Sequence, residues 1–270
     1  MKKKQRRWTG WGPAHQQAEQ HYLVEPRHLA GGGDPRHVTE FLRASGWKDR
    51  SKKRGPVVFD SPDRSMRITY DPSAGGWAIS GKQTPGQLAW QARFGPQVPV
   101  EIVAGFTDAL TQPRYAHAPH VWAPLQQQGW KRGNGQHVTA TSPDASVWVQ
   151  FRQSGPDQAY WWAGARTEHG RAWDATFTST TPLHLITAFT ATLADPQPVM
   201  RPRGCLPPTG RLRTTSVSVL PSQLRAWQQA RITAARTAAW ALNSQAFTRP
   251  RKHPRTTSPY APPSRTRPRR

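Results

Sequence analysis

Apolar and polar positions alternate with period two over residues 57–60, 66–70, 77–81 and 89–94, the signature of half-buried strands. Between them lie Ser61-Pro62-Asp63-Arg64-Ser65 and Asp71-Pro72-Ser73-Ala74-Gly75-Gly76, which are turn chemistry. The period then changes. Upstream, Asp34-Pro35 reads as an N-cap followed by a first-turn proline, Val38, Phe41 and Leu42 form an apolar stripe, and Gly46 is a stop. Downstream, a second helix starts near Pro99 and presents Ile102, Val103, Phe106 and Leu110 at helical spacing. The pattern predicts an α-β-β-β-β-α unit. Its links are too short for crossovers, so the strands run as an antiparallel meander.

The whole pattern occurs twice. Ala-Trp-Gln-Ala-Arg-Phe-Gly at 89–95 returns as Ala-Trp-Asp-Ala-Thr-Phe-Thr at 172–178, and nine of twenty-five positions are identical between 89–113 and 172–196. Gly46-Trp47-Lys48 matches Gly129-Trp130-Lys131, Ser61-Pro62-Asp63 matches Ser142-Pro143-Asp144, and His37-Val38 matches His120-Val121. The repeat is domain-sized. Unit two repeats the pattern from about Pro119 to Leu193, and Pro124 inside its first helix predicts a short or kinked helix. The expected fold is α+β: two tandem α-β-β-β-β-α units, 22–113 and 114–196, each with a four-stranded antiparallel sheet. On the residues Tyr22 to Val38, the Ser-Pro-Asp turn, Gly76–Gly81 and Ala89–Leu110, the chain resembles a domain of unknown function found, often in tandem, in streptomycete proteins, the family numbered three hundred and seventeen. The resemblance covers about 22–196 and is closest in unit one. It implies an actinobacterial source and this architecture. It brings no activity and no catalytic residues.

Comparing the copies face by face separates what is shared from what has changed. One sheet face carries Met66, Ile68, Tyr70, Trp77, Ile79, Gly81, Trp90, Ala92 and Phe94 in unit one. In unit two it carries Val147, Val149, Phe151, Tyr160, Trp162, Gly164, Trp173, Ala175 and Phe177. It is apolar in both and is expected under the helices. The other face reads Arg67, Thr69, Ala78, Ser80, Gln91 and Arg93 in unit one, against Trp148, Gln150, Trp161, Ala163, Asp174 and Thr176 in unit two. Trp148 and Trp161 on one sheet face have two readings. They pack between the units, or they form a stacking and partner-binding face.

Charge changes the picture at the ends. Nineteen of the 23 net positive charges fall in 1–21 and 201–270, and Arg outnumbers Lys 29 to 9. Codon bias in a GC-rich genome and attachment to a polyanion both account for this. Residues 1–21 read as a disordered basic arm, 197–221 as a Pro/Arg-rich linker, 222–247 as an Ala/Arg-rich helix and 248–270 as a disordered basic Pro-rich tail. In that helix Leu224, Trp227, Ala235, Ala238 and Leu242 share a side on which Arg231 intrudes, while Arg225 and Arg236 lie on an adjacent side. No apolar h-region follows the basic N-terminus, and no run approaches the ~20 apolar residues of a membrane span. With one cysteine, Cys205, the composition fits a cytoplasmic protein.

Candidate chemistry is sparse. Gly31-Gly32-Gly33 before a helix start lacks the P-loop pattern and reads as a flexible entry loop. His117 and His120 are a weak metal pair, no catalytic serine or cysteine motif occurs, and the repeated Ser-Pro-Asp is ordinary turn chemistry. No cofactor, no metal and no catalysis are expected. The loop 48–55 carries five basic residues and one acid, far more than its counterpart. The leading expectation is a non-catalytic, largely sequence-independent nucleic-acid-associated protein. Its contacts would come from Lys48, Arg50, Lys52, Lys53, Arg54, Arg67, Arg93, Arg225 and Arg236. The alternative is an interaction or scaffold module whose Trp148/Trp161 face binds a partner or the sister unit.

Overall fold

The structure, a computed structural model, describes residues 17–111, 120–134, 137–153, 155 and 158–248. In chain order the first half holds β1 (Glu19–Glu25), a 3-10 turn (Arg27–Leu29), α1 (Arg36–Ala44), β2 (Lys48–Asp49), β3 (Val57–Asp60), β4 (Met66–Asp71), β5 (Gly76–Gly81), β6 (Trp90–Phe94) and α2 (Val100–Thr111). The second holds α3 (Ala123–Gln127), β7 (Lys131–Asn134), β8 (Val138–Thr141), β9 (Val147–Gln153), β10 (Ala159–Thr167), β11 (Gly170–Thr178) and α4 (Leu183–Ala194). Beyond them come β12 (Val199–Pro202), β13 (Arg213–Val219) and α5 (Pro221–Thr248).

The helix ends follow their local chemistry. Asp34 Oδ1 accepts the Arg36 backbone N–H at 2.9 Å, satisfying a first-turn donor. At the far end of α1 the Trp47 N–H reaches the Leu42 carbonyl at 3.0 Å across Gly46, whose φ is +84°. The same closure ends α3, where Trp130 N–H reaches Leu125 O at 3.1 Å and Gly129 has φ +73°. Both are Schellman closures, in which glycine takes the left-handed position without a Cβ penalty. Each drops a buried tryptophan, Trp47 or Trp130, into the core. With Pro124 in its first turn, α3 has five residues against nine in α1.

The sheet departs from two separate four-stranded units. Each half contributes five strands, with β2 and β7 added outside the expected four. β6 pairs with β11, Ala92–Phe94 against Phe177–Ala175, so that one ten-stranded antiparallel sheet runs β2-β3-β4-β5-β6-β11-β10-β9-β8-β7. The halves thus meet edge to edge about a quasi-two-fold axis, and each protects the edge strand of the other. Gly95 N–H donates to Asp174 O at 2.9 Å and Thr180 Oγ1 to Ala89 O at 2.7 Å across this joint. On one face α2 packs against α4. Beneath them Phe94, Phe106, Phe177 and Phe189 interlock with ring centroids 4.9–6.0 Å apart. One continuous hydrophobic core spans both halves.

The end of the expected arm with the start of unit one, and the expected linker, supply a second sheet, β12-β1-β13, with β1 in the middle. Thus the entry into unit one is fastened to the chain after unit two. Arg201 of β12 is the fastening. It is 2 % exposed and its five N–H groups are all used. Two meet Glu101 of α2 at 2.6 and 2.8 Å, and the rest go to the Ala30, Gly31 and Met200 carbonyls at 2.9–3.1 Å. Burial pushes the Glu101 carboxyl up, but the Arg201 hydrogen bonds and charge outweigh it and hold the carboxyl below its ordinary range. The glycine run is part of this crossing, not a loose loop: Val100 N–H donates to Gly32 O at 2.8 Å.

The C-terminal helix docks by part of the expected side, through Arg231 and Ala235 and not through Trp227 or Ala238. α5 lies on α1, and Arg231, the apparent intruder, is its anchor. It grips Asp108 of α2 with two bonds of 2.9 and 2.8 Å and stacks 4.5 Å over the Phe41 ring. Ala235 is buried beside it, while Trp227 stays 55 % exposed and Ala238 is exposed. A guanidinium forked onto a carboxylate orients a helix that its small residues alone would leave free to rotate. The side chains of Trp240, Leu242 and Phe247 and the tail 249–270 lie outside the described residues, as does the arm 1–16. No described helix is long and apolar enough to cross a membrane.

Candidate nucleic-acid interface

Helices cover one face of the ten-stranded sheet, and the alternation of burial along β6 leaves the opposite face open. Hydrogen-bonded Cα partners point to the same side, so the strand registers give the rows of this outer face. One row runs Lys48, Asp60, Arg67, Ser80 and Gln91, then Tyr160 and Arg152 in the second half. The next runs Thr69, Ala78, Arg93, Thr176, Trp162, Gln150 and Thr139. A third carries Asp174, Gly164, Trp148, Thr141 and Lys131.

The two ends of this face differ in kind. In unit one Arg67 forks onto Asp60 at 2.8 and 3.2 Å, and Arg50 approaches the same carboxylate at 3.7 Å. The hydrogen bonds from Arg67 hold the Asp60 carboxyl below its ordinary range. In unit two Trp148 and Trp162 meet edge to face at 5.5 Å. The Arg152 guanidinium stacks 4.2 Å from the Trp162 centroid, and Arg171 lies 5.3 Å from it. Arg152 is steadied by Gln150 Oε1 at 2.8 Å and Tyr160 OH at 3.4 Å. Among the described residues no carboxylate pairs with Arg93, Arg152 or Arg171.

Trp161 is not on this face. It is 7 % exposed and packs in the inner core against Trp122 at 5.3 Å and Phe151 at 4.9 Å. Its register partners are Phe151 and Phe177, so Trp161, Ala163 and Ala165 face the helices while Tyr160, Trp162 and Gly164 face out. The expected parity of this strand was inverted. The aromatic partner of Trp148 is Trp162, and neither ring packs between the units, which join by strand edges. Trp148 and Trp161 therefore do not share a face, and the sister unit does not lie between them.

The predicted cations divide into two groups. Lys48, Arg67 and Arg93 share the outer face, with Arg50 beside it. Lys52, Lys53 and Arg54 follow in the exposed loop before β3. Arg225 and Arg236 are exposed on α5, in the helical layer on the other side of the sheet, and do not join them. The sequence reading missed Trp162, Arg152 and Arg171 as members of this face. Fixing the β10 register by its pairing with Ala175 and Phe177 brings out Trp162, and the alternation of Trp148 and Gln150 extends to Arg152, whereas Arg171 shares the parity of Trp173 and comes out only through the register shift after Ala165.

The repeated Ser-Pro-Asp builds the same turn in both halves. Ser61 Oγ donates to Asp63 at 2.6 Å and accepts the Met66 N–H at 3.0 Å, while Ser65 closes onto Asp63. Ser142, Asp144, Ser146 and Val147 repeat these bonds. Unit two adds His28, whose Nε2 lies 2.7 Å from Ser146 Oγ, while Trp173 Nε1 donates to the His28 carbonyl at 2.7 Å. His28, with the turn hydroxyls, drives the Asp144 carboxyl far below the ordinary range. Serine, histidine and aspartate meet here without triad geometry. The serine is fully buried, and the carboxylate approaches the same ring nitrogen as the serine, at 3.8 Å, instead of the opposite one. The cluster clasps the 3-10 turn onto unit two. At the matching place in unit one lies a cavity of about 220 Å³ lined by Asp63, Ser65 and Trp90 among others. Among the described residues no group of three or more His, Cys, Asp and Glu could hold a metal ion.

Residues 60–116 and 141–199 each match the model of the SPDY family, a domain of unknown function (DUF317). The two matches lie in tandem, as a repeated domain requires. Searches of the curated proteins and of the solved structures find no significant match. Each DUF317 segment opens on the Ser-Pro-Asp turn and takes in three strands and the following helix, β4-β5-β6-α2 or β9-β10-β11-α4. These are the elements that make the joint between the halves and the phenylalanine cluster. β1, α1, α3, β13 and α5 lie outside both segments.

Proposed function

We propose that this is a non-catalytic nucleic-acid-associated protein that binds largely without regard to sequence through the outer face of its ten-stranded sheet. One observation carries the reading. Arg93, Arg152 and Arg171 stand on an uncovered sheet face beside a Trp148–Trp162 pair, with no carboxylate partner among the described residues. Guanidiniums held by stacking and neutral hydrogen bonds keep donors for phosphate, and indoles supply surfaces that any base can stack on. The net charge of +23 adds long-range attraction that fades with salt. Of the basic loop, Lys52, Lys53 and Arg54 extend the face at its unit-one end.

Fluorescence anisotropy of a labelled oligonucleotide across a salt series tests the reading on the full chain. The logarithm of the affinity should fall linearly with the logarithm of salt. An affinity indifferent to ionic strength contradicts it. Truncation has to respect the fold: deleting 1–21 and 201–270 would remove Arg201 and most of the second sheet. Only 1–16 and 249–270 can be cut without touching a described element.

A further inference from the structure

We propose that the unit-two part of the outer face is a seat for an unpaired nucleobase with Trp148 as its stacking platform, so that single-stranded nucleic acid is the preferred ligand. The inference rests on the nucleic-acid reading above and narrows it to one site and one strand state.

The seat is built by the backbone beneath it. A Cβ at Gly164 would lie 2.7 Å from Trp148 Cζ2, closer than real Cβ contacts come, and 3.0 Å from Cη2. Only glycine at 164 lets this indole lie down over β10. A ring so placed has one face on the strand and the other toward the groove. That groove holds about 290 Å³ and is lined by Thr139, Thr141, Trp148, Gln150, Arg152 and Arg166 among others, with no carboxylate in its lining. Hydrogen-bonding edges are fixed there: Gln150 Nε2 donates to Thr139 Oγ1 at 3.0 Å while its Oε1 accepts from Arg152 Nε. Arg166 is steadied by the Ala145 carbonyl at 3.1 Å. A flat aromatic surface, a set polar edge and two guanidiniums are what a base and its phosphate require. A duplex keeps its base faces stacked inside and offers an indole on a sheet only its backbone.

Among the described residues the site occurs once. Arg67 stands where Trp148 does, and Ser80 replaces Gly164. Asp60, in the place of Thr141, closes on Arg67. The unit-one position is therefore filled by its own ion pair and has no ring.

The test uses three probes of equal length on the full chain: a labelled thymidine single strand, the same strand with abasic sites, and the matching duplex. Base–aromatic stacking predicts roughly tenfold tighter binding of the thymidine strand than of the abasic one. Trp148→Ala should lose about that factor for the thymidine strand, leave the abasic strand unchanged and keep the salt slope. Gly164→Val, which lifts the ring, should mimic it, and Trp148→Phe should retain most of the affinity. Should Trp148→Ala not fold, the wild-type thymidine-to-abasic ratio and Trp148→Phe decide. Equal, salt-dependent binding of all three probes, unmoved by Gly164→Val, overturns the base seat and leaves the nucleic-acid reading standing. Absence of binding to any probe at low salt overturns both.

Discussion

The two halves of this molecule agree under the helices and at their shared turns, and differ on the outer sheet face and in the helical layer. Beneath α2 and α4, Trp90, Ala92 and Phe94 are answered by Trp173, Ala175 and Phe177, all buried. On the outer face an Asp60–Arg67 ion pair in one half faces a Trp148–Trp162 pair in the other. In the helical layer α5 covers α1, whereas α3 is short and carries no such cover. A duplicated fold keeps the residues that the joint between its copies needs and is free to vary the rest. The agreement therefore marks the structural seam, and the differences mark where the halves were free to diverge.

If the seam is shared, damage to either side should look alike. Phe94→Ala and Phe177→Ala should each cost about 4–5 kcal/mol and unfold the chain in one denaturant transition. They touch at 5.4 Å, so the double variant should fall short of additivity. A biphasic unfolding curve would break the comparison by showing two independent halves.

Fastening of the chain ends comes next. Arg201→Met should cost about 3 kcal/mol because it strands the half-buried Glu101 carboxylate and three carbonyls, measured by the same unfolding experiment. A loss below about 1 kcal/mol would mean that the second sheet is decoration.

The repeated His-Val sharpens the contrast between the helical layers. Burial beneath α5, helped by the positive charge of Arg231, pushes the His37 imidazole down to about 4, while its counterpart His120 is exposed. A histidine whose folded pKa lies below its unfolded value of 6.5 opposes protonation in the folded state. Its full contribution is present above about pH 6.5 and is lost as pH falls toward 4. About 3 kcal/mol should disappear over that window. His37→Gln should flatten the stability–pH profile there.

The smallest effect separates the two Ser-Pro-Asp turns. Ser146→Ala removes the contact with buried His28 and should cost about 2 kcal/mol. Ser65→Ala, with no such partner, should cost about 0.5–1 kcal/mol. Equal losses in thermal or denaturant melts would show that the His28 clasp contributes nothing.

Much of this was legible in the sequence, and the failures have physical causes. The duplication, the inner face of unit one, the proline-led helix starts and the Gly46 stop all followed from residue chemistry. The third strand of unit two did not, because Tyr160, Trp161 and Trp162 put aromatics at both parities and cancel the alternation on which the reading depends. Pairing of β6 with β11 was invisible because an unpaired strand edge is backbone and carries no sequence label. β12 and β13 were hidden in a Pro- and Arg-rich stretch whose one buried charge, Arg201, finds its partners 100 and 170 residues away. For α5 the apolar stripe pointed to Trp227, whereas the fork of Arg231 onto Asp108 decided the docking.

The central claim, that the outer sheet face engages nucleic acid, is tested most directly by the salt dependence of single-strand affinity in the full chain and in the variant Arg93→Ala, Arg152→Ala, Arg171→Ala. Each phosphate contact on a single strand contributes about 0.7 to the slope of log affinity against log salt. The variant should therefore bind more weakly, with a slope shallower by roughly 2. An affinity and slope identical to those of the unaltered chain would contradict the account and assign any binding to the charges elsewhere in the chain.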